Sequence, residues 1–350
     1  MFRSLENLSR MNEETVEETT VDVEVRVAEE VETQTEILEE ATTIVEEAET
    51  SDDAGEEIAE MHALMEIIQN EGINPGMMAV INRNNQLSNF SGIALPAKES
   101  LDTVGGNPEA ASLAIESLKE SIKKAMEAVK RFFINIWEKV KGLARRILDL
   151  VSSKEKALAR AKEMIKGITL DPEKVKNKEG KFITHQFMTA RCAALTQVAS
   201  SLSVVSPATL VGDVFGKSGA YLKALGLRME DGKIVEFDKP VEIKKQTLTA
   251  AGWDVAKAES VHADVAKALG AIRSMKTASD ALGKICTAGI KEADSVARSS
   301  DEKVDKDKVE ELRKLASTVS KGISRVSSEG MKTINNYLTV CSALKACEKR

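Results

Sequence analysis

From residue 109 to 151 the apolar positions fall on one helical stripe. Ile115, Leu118, Ile122, Met126, Val129, Phe133, Ile136, Val140, Leu143, Ile147 and Leu150 recur every three or four residues. That period marks an amphipathic helix of roughly 60 Å at 1.5 Å per residue. Residues Lys154 to Lys166 continue a basic helical pattern up to Gly167. Further periodic segments predict helices over about 184–203 (Phe187, Cys192, Leu195, Val198, Leu202), 207–225, 254–299 and 303–348. In the last of these, Val309, Leu312, Ala316, Val319, Ile323 and Val326 step 3-4-3-4-3, the seam of a helix packed on a partner helix. Only residues 228–248 read as extended: Ile234, Val235, Phe237, Val241 and Ile243 follow the turn Glu230-Asp231-Gly232-Lys233, a short hairpin.

The first hundred residues have a different texture. Glu13 to Glu60 is rich in Glu, Thr and Val and nearly free of Lys, so it repels itself and buries little; disorder or a marginal helix is expected. Within it Ile37, Leu38, Ile44 and Val45 mark an amphipathic turn or two, and a firmer helix is predicted over about 54–71. Asn82 to Pro108, with its Asn, Ser, Gly and Pro, reads as an exposed connector. The expected fold class is therefore mainly α: a multi-helix bundle with long amphipathic helices, one short β-hairpin and a disordered acidic N-terminal leader. Three regions follow from it: a leader over 1–99, a connector with basic amphipathic helices over 100–170, and a helical body over 171–350.

Charge sharpens this division. Residues 1–100 hold 24 acids and 5 bases, whereas residues 101–350 hold 32 and 44. A formal net charge of −7 therefore conceals an acidic first part and a basic remainder. Aromatic residues make up only 3% of the chain, a composition suited to helices packed through small and aliphatic side chains. Cys192, Cys286, Cys341 and Cys347 lack metal-site or disulfide spacing and read as reduced, buried thiols. No apolar run approaches the ~20 residues of a membrane span, and the N-terminus has no secretory pattern. The reading is a soluble protein synthesised in the cytoplasm.

Catalytic signals are sparse. Gly212-Asp213-Val214-Phe215-Gly216-Lys217-Ser218 has three residues between its glycines where a phosphate-binding loop needs four. Glu259 and His262 match half of a di-iron pattern, with no second half. His62 and His185 are isolated. The chain is expected to have no enzymatic activity, cofactor or metal.

The long helix carries Lys119, Lys123, Lys124, Lys130, Arg131, Lys139, Lys141, Arg145 and Arg146. Three readings stay open for these cations: a solvated face, collective phosphate contact with nucleic acid, or a lipid interface shared with Phe132, Phe133 and Trp137. At the charge boundary, Ala97-Lys98-Glu99-Ser100 places a glutamate two residues after a small one. It resembles the sites cut by prohead proteases of large tailed phages. Its position in a Pro-containing connector makes it accessible.

Taken with 90–100, the runs Ser117–Lys124 and Phe132–Lys141 (with its Ile-Trp-Glu-Lys-Val-Lys) resemble internal head proteins of large myophages. The resemblance implies a virion protein made as a precursor and incorporated into the prohead core with capsid and core proteins. It further implies cleavage by the prohead protease, retention in the capsid interior beside double-stranded DNA, and ejection with passage at the host membrane. The competing expectations are a membrane-active helical effector and an uncleaved cytoplasmic scaffold.

Overall fold

The computed structural model describes residues 39–46, 48, 108–230, 233–236, 245–298 and 306–349. The predicted 54–71 helix, His62 and the Ala97–Ser100 junction lie outside them.

A single helix, α1 (Pro108–Ile165), spans 58 residues, about 87 Å at 1.5 Å per residue. Sequence periodicity separates 109–151 from 154–166. The structure joins them because Val151, Leu158, Ala161 and Ile165 extend the buried stripe without a helix breaker. Gly167, at φ 68°, then turns the chain away. The short α2 (Pro172–Asn177) is capped by Asp171, whose carboxylate accepts from the Glu173 and Lys174 amides. Strand β1 (Glu179–Lys181) leads to α3 (His185–Ser203), begun by a Thr184 cap.

The stretch expected as a helix over 207–225 is instead a chain of short turns. These are a 3-10 turn at Val211–Asp213, α4 (Gly219–Leu222), and another 3-10 turn at Lys223–Leu225. Pro207, Gly212, Gly216 and Gly219 interrupt it too often for helix to propagate.

The expected hairpin is present as β2 (Leu227–Glu230) paired antiparallel with β3 (Lys233–Glu236). A second two-stranded sheet, unsignalled in the sequence, pairs β1 with β4 (Lys245–Thr247). The expected 254–299 helix is two helices, α5 (Val255–Arg273) and α6 (Met275–Arg298), parted at Ser274. The break frees α6 to lie along α1 while α5 packs mainly on α3, α7 and α1.

The last helix, α7 (Lys306–Ala346), is the axis of the bundle, with α1, α3, α5 and α6 all packed on it. The predicted seam residues from Val309 to Val326 are all buried, and their partner helices belong to the same chain. Every residue from Leu315 to Ser324 is buried, including the polar ones. Part of the cost of burying polar groups along α7 is offset where hydroxyls bond back to the helix backbone. Ser320 donates to the Ser317 carbonyl at 2.9 Å, Ser327 to Ile323 at 2.7 Å, and Thr333 to Glu329 at 2.6 Å. Asn336 clamps the segment before α3, accepting from the Ile183 amide and donating to the Lys181 carbonyl, both at 2.8 Å.

Close helix approach is written into two glycines of α6. A Cβ on Gly283 would lie 2.6 Å from Trp137 Nε1, and Gly289 sits directly against the Phe133 ring. One continuous apolar core runs from Ala41 to Cys347. All four cysteines are free and buried, as their spacing implied.

Candidate nucleic-acid interface

The stripe that builds the core fixes where the cations of α1 point. Seven residues advance a helix by almost two turns, so Lys124, Arg131 and Arg145 fall on one outward strip, within about 60° of arc. Lys123 and Arg146 flank this strip and are also exposed. Lys156 and Arg160, further along the same helix, fall in the same arc and are exposed. They belong to the basic helical pattern read over Lys154–Lys166, and its continuity with the helix before it puts them on this strip. Glu127, Glu138 and Asp149 share the arc and lower its positive density.

The remaining candidates are partly committed elsewhere. Lys130 pairs with Glu127 on its own helix and with Asp294 of α6, the latter at 2.6 Å. Its hydrogen bond to Asp294, then that to Glu127, raises its pKa, and the same bond to Lys130 lowers that of Asp294. This lysine holds helices together. Lys141 Nζ lies 3.5 Å from Glu138 and 4.9 Å above the Trp137 ring, a cation–π contact. Arg146 Nε lies 3.6 Å from Glu40 Oε2 of the acidic leader. Lys139 is half-buried, and Lys119 belongs to α1 by its backbone, its side chain lying outside the description.

By contrast, Lys123, Arg131 and Arg145 make no ion pair with another described residue. The structure thus gathers an outward group of Lys123, Lys124, Arg131, Arg145 and Arg146 and sets Lys130 apart from it. Such a row offers charge at helical spacing without groups arranged to read base edges.

Of the aromatic residues beside these cations, Phe133 is fully buried, Trp137 is half-buried against Gly283, and Phe132 is half-buried. Among the described residues no helix is long and apolar enough to cross a membrane.

Other weighed motifs take structural places. Ser218, at the end of the loop-like 212–218 run, bonds Ser201 Oγ at 2.7 Å and the Gln197 carbonyl at 3.2 Å. His262 Nδ1 contacts Tyr337 Oη at 3.2 Å, and His185 packs edge-on to Trp253. Among the described residues no cluster of His, Cys, Asp or Glu is arranged to hold a metal.

The family model for phiKZ-like phage internal head proteins matches residues 17–225. The chain belongs to this family. Membership places an internal head protein within the virion capsid, in agreement with the resemblance carried by residues 90–141. The matched span joins the acidic leader to α1 and α3, so the family signature covers both sides of the charge boundary. No curated protein and no solved structure gives a significant match.

Proposed function

We propose that this internal head protein is made as a precursor and cut after Glu99, and that its basic helical remainder shares the capsid interior with double-stranded DNA. The observation that carries the reading is the inversion of charge across the connector, from 24 acids and 5 bases to 32 acids and 44 bases. Removing the leader turns a net-negative chain into a net-positive one. A cationic body gains free energy on a polyphosphate by releasing counterions, without recognising sequence. The role is structural and electrostatic. Prohead protease, capsid and core proteins are its partners during assembly, and ejection with the genome is the later step of the same proposal.

The outward strip on α1 supports DNA over lipid as the partner. Lys123, Lys124, Arg131, Arg145 and Arg146 face out, whereas of the rings a lipid interface would use Phe133 is fully buried and Phe132 and Trp137 are half-buried against the core.

Mass spectrometry of protein extracted from mature particles tests the cut: a chain beginning at Ser100 is expected, and a retained Met1 would end the proposal. DNA binding is tested by titrating duplex of arbitrary sequence over a range of salt. Neutralising the five outward cations together is expected to flatten the slope of log K against log salt by about 4 to 5 units, near 0.9 for each phosphate that the protein then leaves to its counterions. Any single replacement changes it by about 1 or less.

A further inference from the structure

The acidic leader touches the body at a defined seat. Residues 39–46 and Ala48 are helical, and Ala41, Ile44 and Ala48, spaced 3 and 4 apart, form one buried face. Thr42, Thr43 and Glu46 face outward. On α1 the seat is made by Gly142, where a Cβ would lie 3.0 Å from Glu40 Oε1, and by Arg146, paired with Glu40. On α7 Ser317 donates to the Ala48 carbonyl at 3.4 Å. The segment therefore spans a groove between the first long helix and the last.

Its grip is small. Two alanines and one isoleucine are the described apolar anchors, and the Glu40–Arg146 pair involves an arginine side chain that is 45% exposed. Exposed ion pairs contribute little, and a free peptide must also give up translational and rotational freedom on binding. A covalently joined segment escapes part of that cost, because the link makes its seating an intramolecular step.

We infer that the 39–48 segment is a tethered plug: it fills the α1–α7 groove while joined to the body, and chain scission in the connector empties that groove. The inference rests on the proposed processing for the place of the cut. The step is hydrolysis: the Glu99–Ser100 C–N bond breaks, the hydroxyl of water goes to the Glu99 carbonyl carbon, and its proton goes to the Ser100 nitrogen. Scission thus does more than discard charge. It opens a groove on the same α1 surface that bears Arg145 and Arg146, and it frees Arg146 from Glu40.

The test uses the full chain with a site-specific protease sequence replacing Ala97–Ser100. After cutting at micromolar concentration, the leader is expected to elute separately by size exclusion. Hydrogen exchange over 140–150 and 312–320 is then expected to accelerate by on the order of tenfold or more, as an effective-concentration advantage disappears. Co-elution of the leader, or unchanged exchange in those stretches, would overturn the inference. In the uncut chain, Ile44→Asp is expected to produce the same local acceleration while α3 stays protected, and unchanged exchange would equally sink it. Where Ile44→Asp also loses protection in α3, the cleaved chain decides. Retention of Met1 in mature particles would remove the processing reading yet leave the result of the engineered cut standing, so the two failures are distinguishable.

Discussion

Arg191 of α3 and Glu329 of α7 form an ion pair sealed inside the bundle, each side chain 6% exposed. Lys332 Nζ lies 3.0 Å from the same glutamate, and Arg325 Nη1 lies at 4.0 Å. Burial, with the nearby Arg325 charge adding to it, lowers the Arg191 pKa to about 10. Breaking such a pair leaves a charge with no countercharge in a dry site. Glu329→Gln is expected to cost about 3–5 kcal/mol of unfolding free energy, whereas replacing both residues by Leu or Met is expected to come close to neutral. Urea unfolding of the single and double variants checks this, and additive losses would refute it.

Gly289 permits α6 to close on α1 because the Phe133 ring occupies the space a side chain would need. Gly289→Ala is expected to destabilise by about 1–3 kcal/mol through overpacking, despite the better helix propensity of alanine. Gly270, with open space around it, is the control: Gly270→Ala is expected to be neutral or stabilising by up to about 1 kcal/mol. Thermal melts should therefore fall for Gly289→Ala and hold or rise for Gly270→Ala.

The family match ends at residue 225, yet α1 and α3 bury their apolar faces on α5, α6 and α7 beyond it. A 1–225 fragment keeps the family signature and loses the helices that cover it. It is expected to lack a cooperative unfolding transition and to bind a hydrophobic dye, while the full chain shows a sigmoidal transition.

His262 gives the fold a pH dependence of known sign. Tyr337 Oη donates to the Ala258 carbonyl at 3.0 Å, so the imidazole contact at 3.2 Å has Nδ1–H donating to the phenol oxygen. Burial, then the Lys162 charge, holds the His262 pKa below its ordinary value. The unfolded chain therefore takes up a proton first as pH falls through about 6.5, and stability declines there. Above that window the ring is neutral in both states and contributes no slope. Denaturant titrations between about pH 7.5 and 5.5 should show a fall in stability that His262→Gln flattens; an unchanged slope in the variant would refute the assignment.

Much of this architecture was legible because apolar period reports burial. The α1 stripe from Met126 to Leu150, the α3 boundaries and the β2–β3 hairpin all followed from it. What escaped is equally physical. Ser317, Ser320 and Ser324 are buried although serine composition signals no burial: Ser320 returns a bond to its own helix and Ser317 bonds Ala48, and neither partner is written in the local sequence. The β1–β4 pairing joins short polar segments more than sixty residues apart, with no alternation to announce it. Of the nine candidate cations, the helical period alone identifies those facing outward. Setting Lys130 apart required knowing that Asp294 lies across from it on α6.

The placement of α7 has a consequence for synthesis. Every other long helix rests on α7, which the ribosome makes after all of them, and the segment after α7 is stitched back to the close of α1 by Lys349 N–H to the Thr169 carbonyl and Asp171 N–H to the Cys347 carbonyl, both at 2.8 Å. Upstream helices must therefore wait for α7 to be made before they settle. The 39–48 segment is made before any of them, yet half of its berth does not exist until α7 is made.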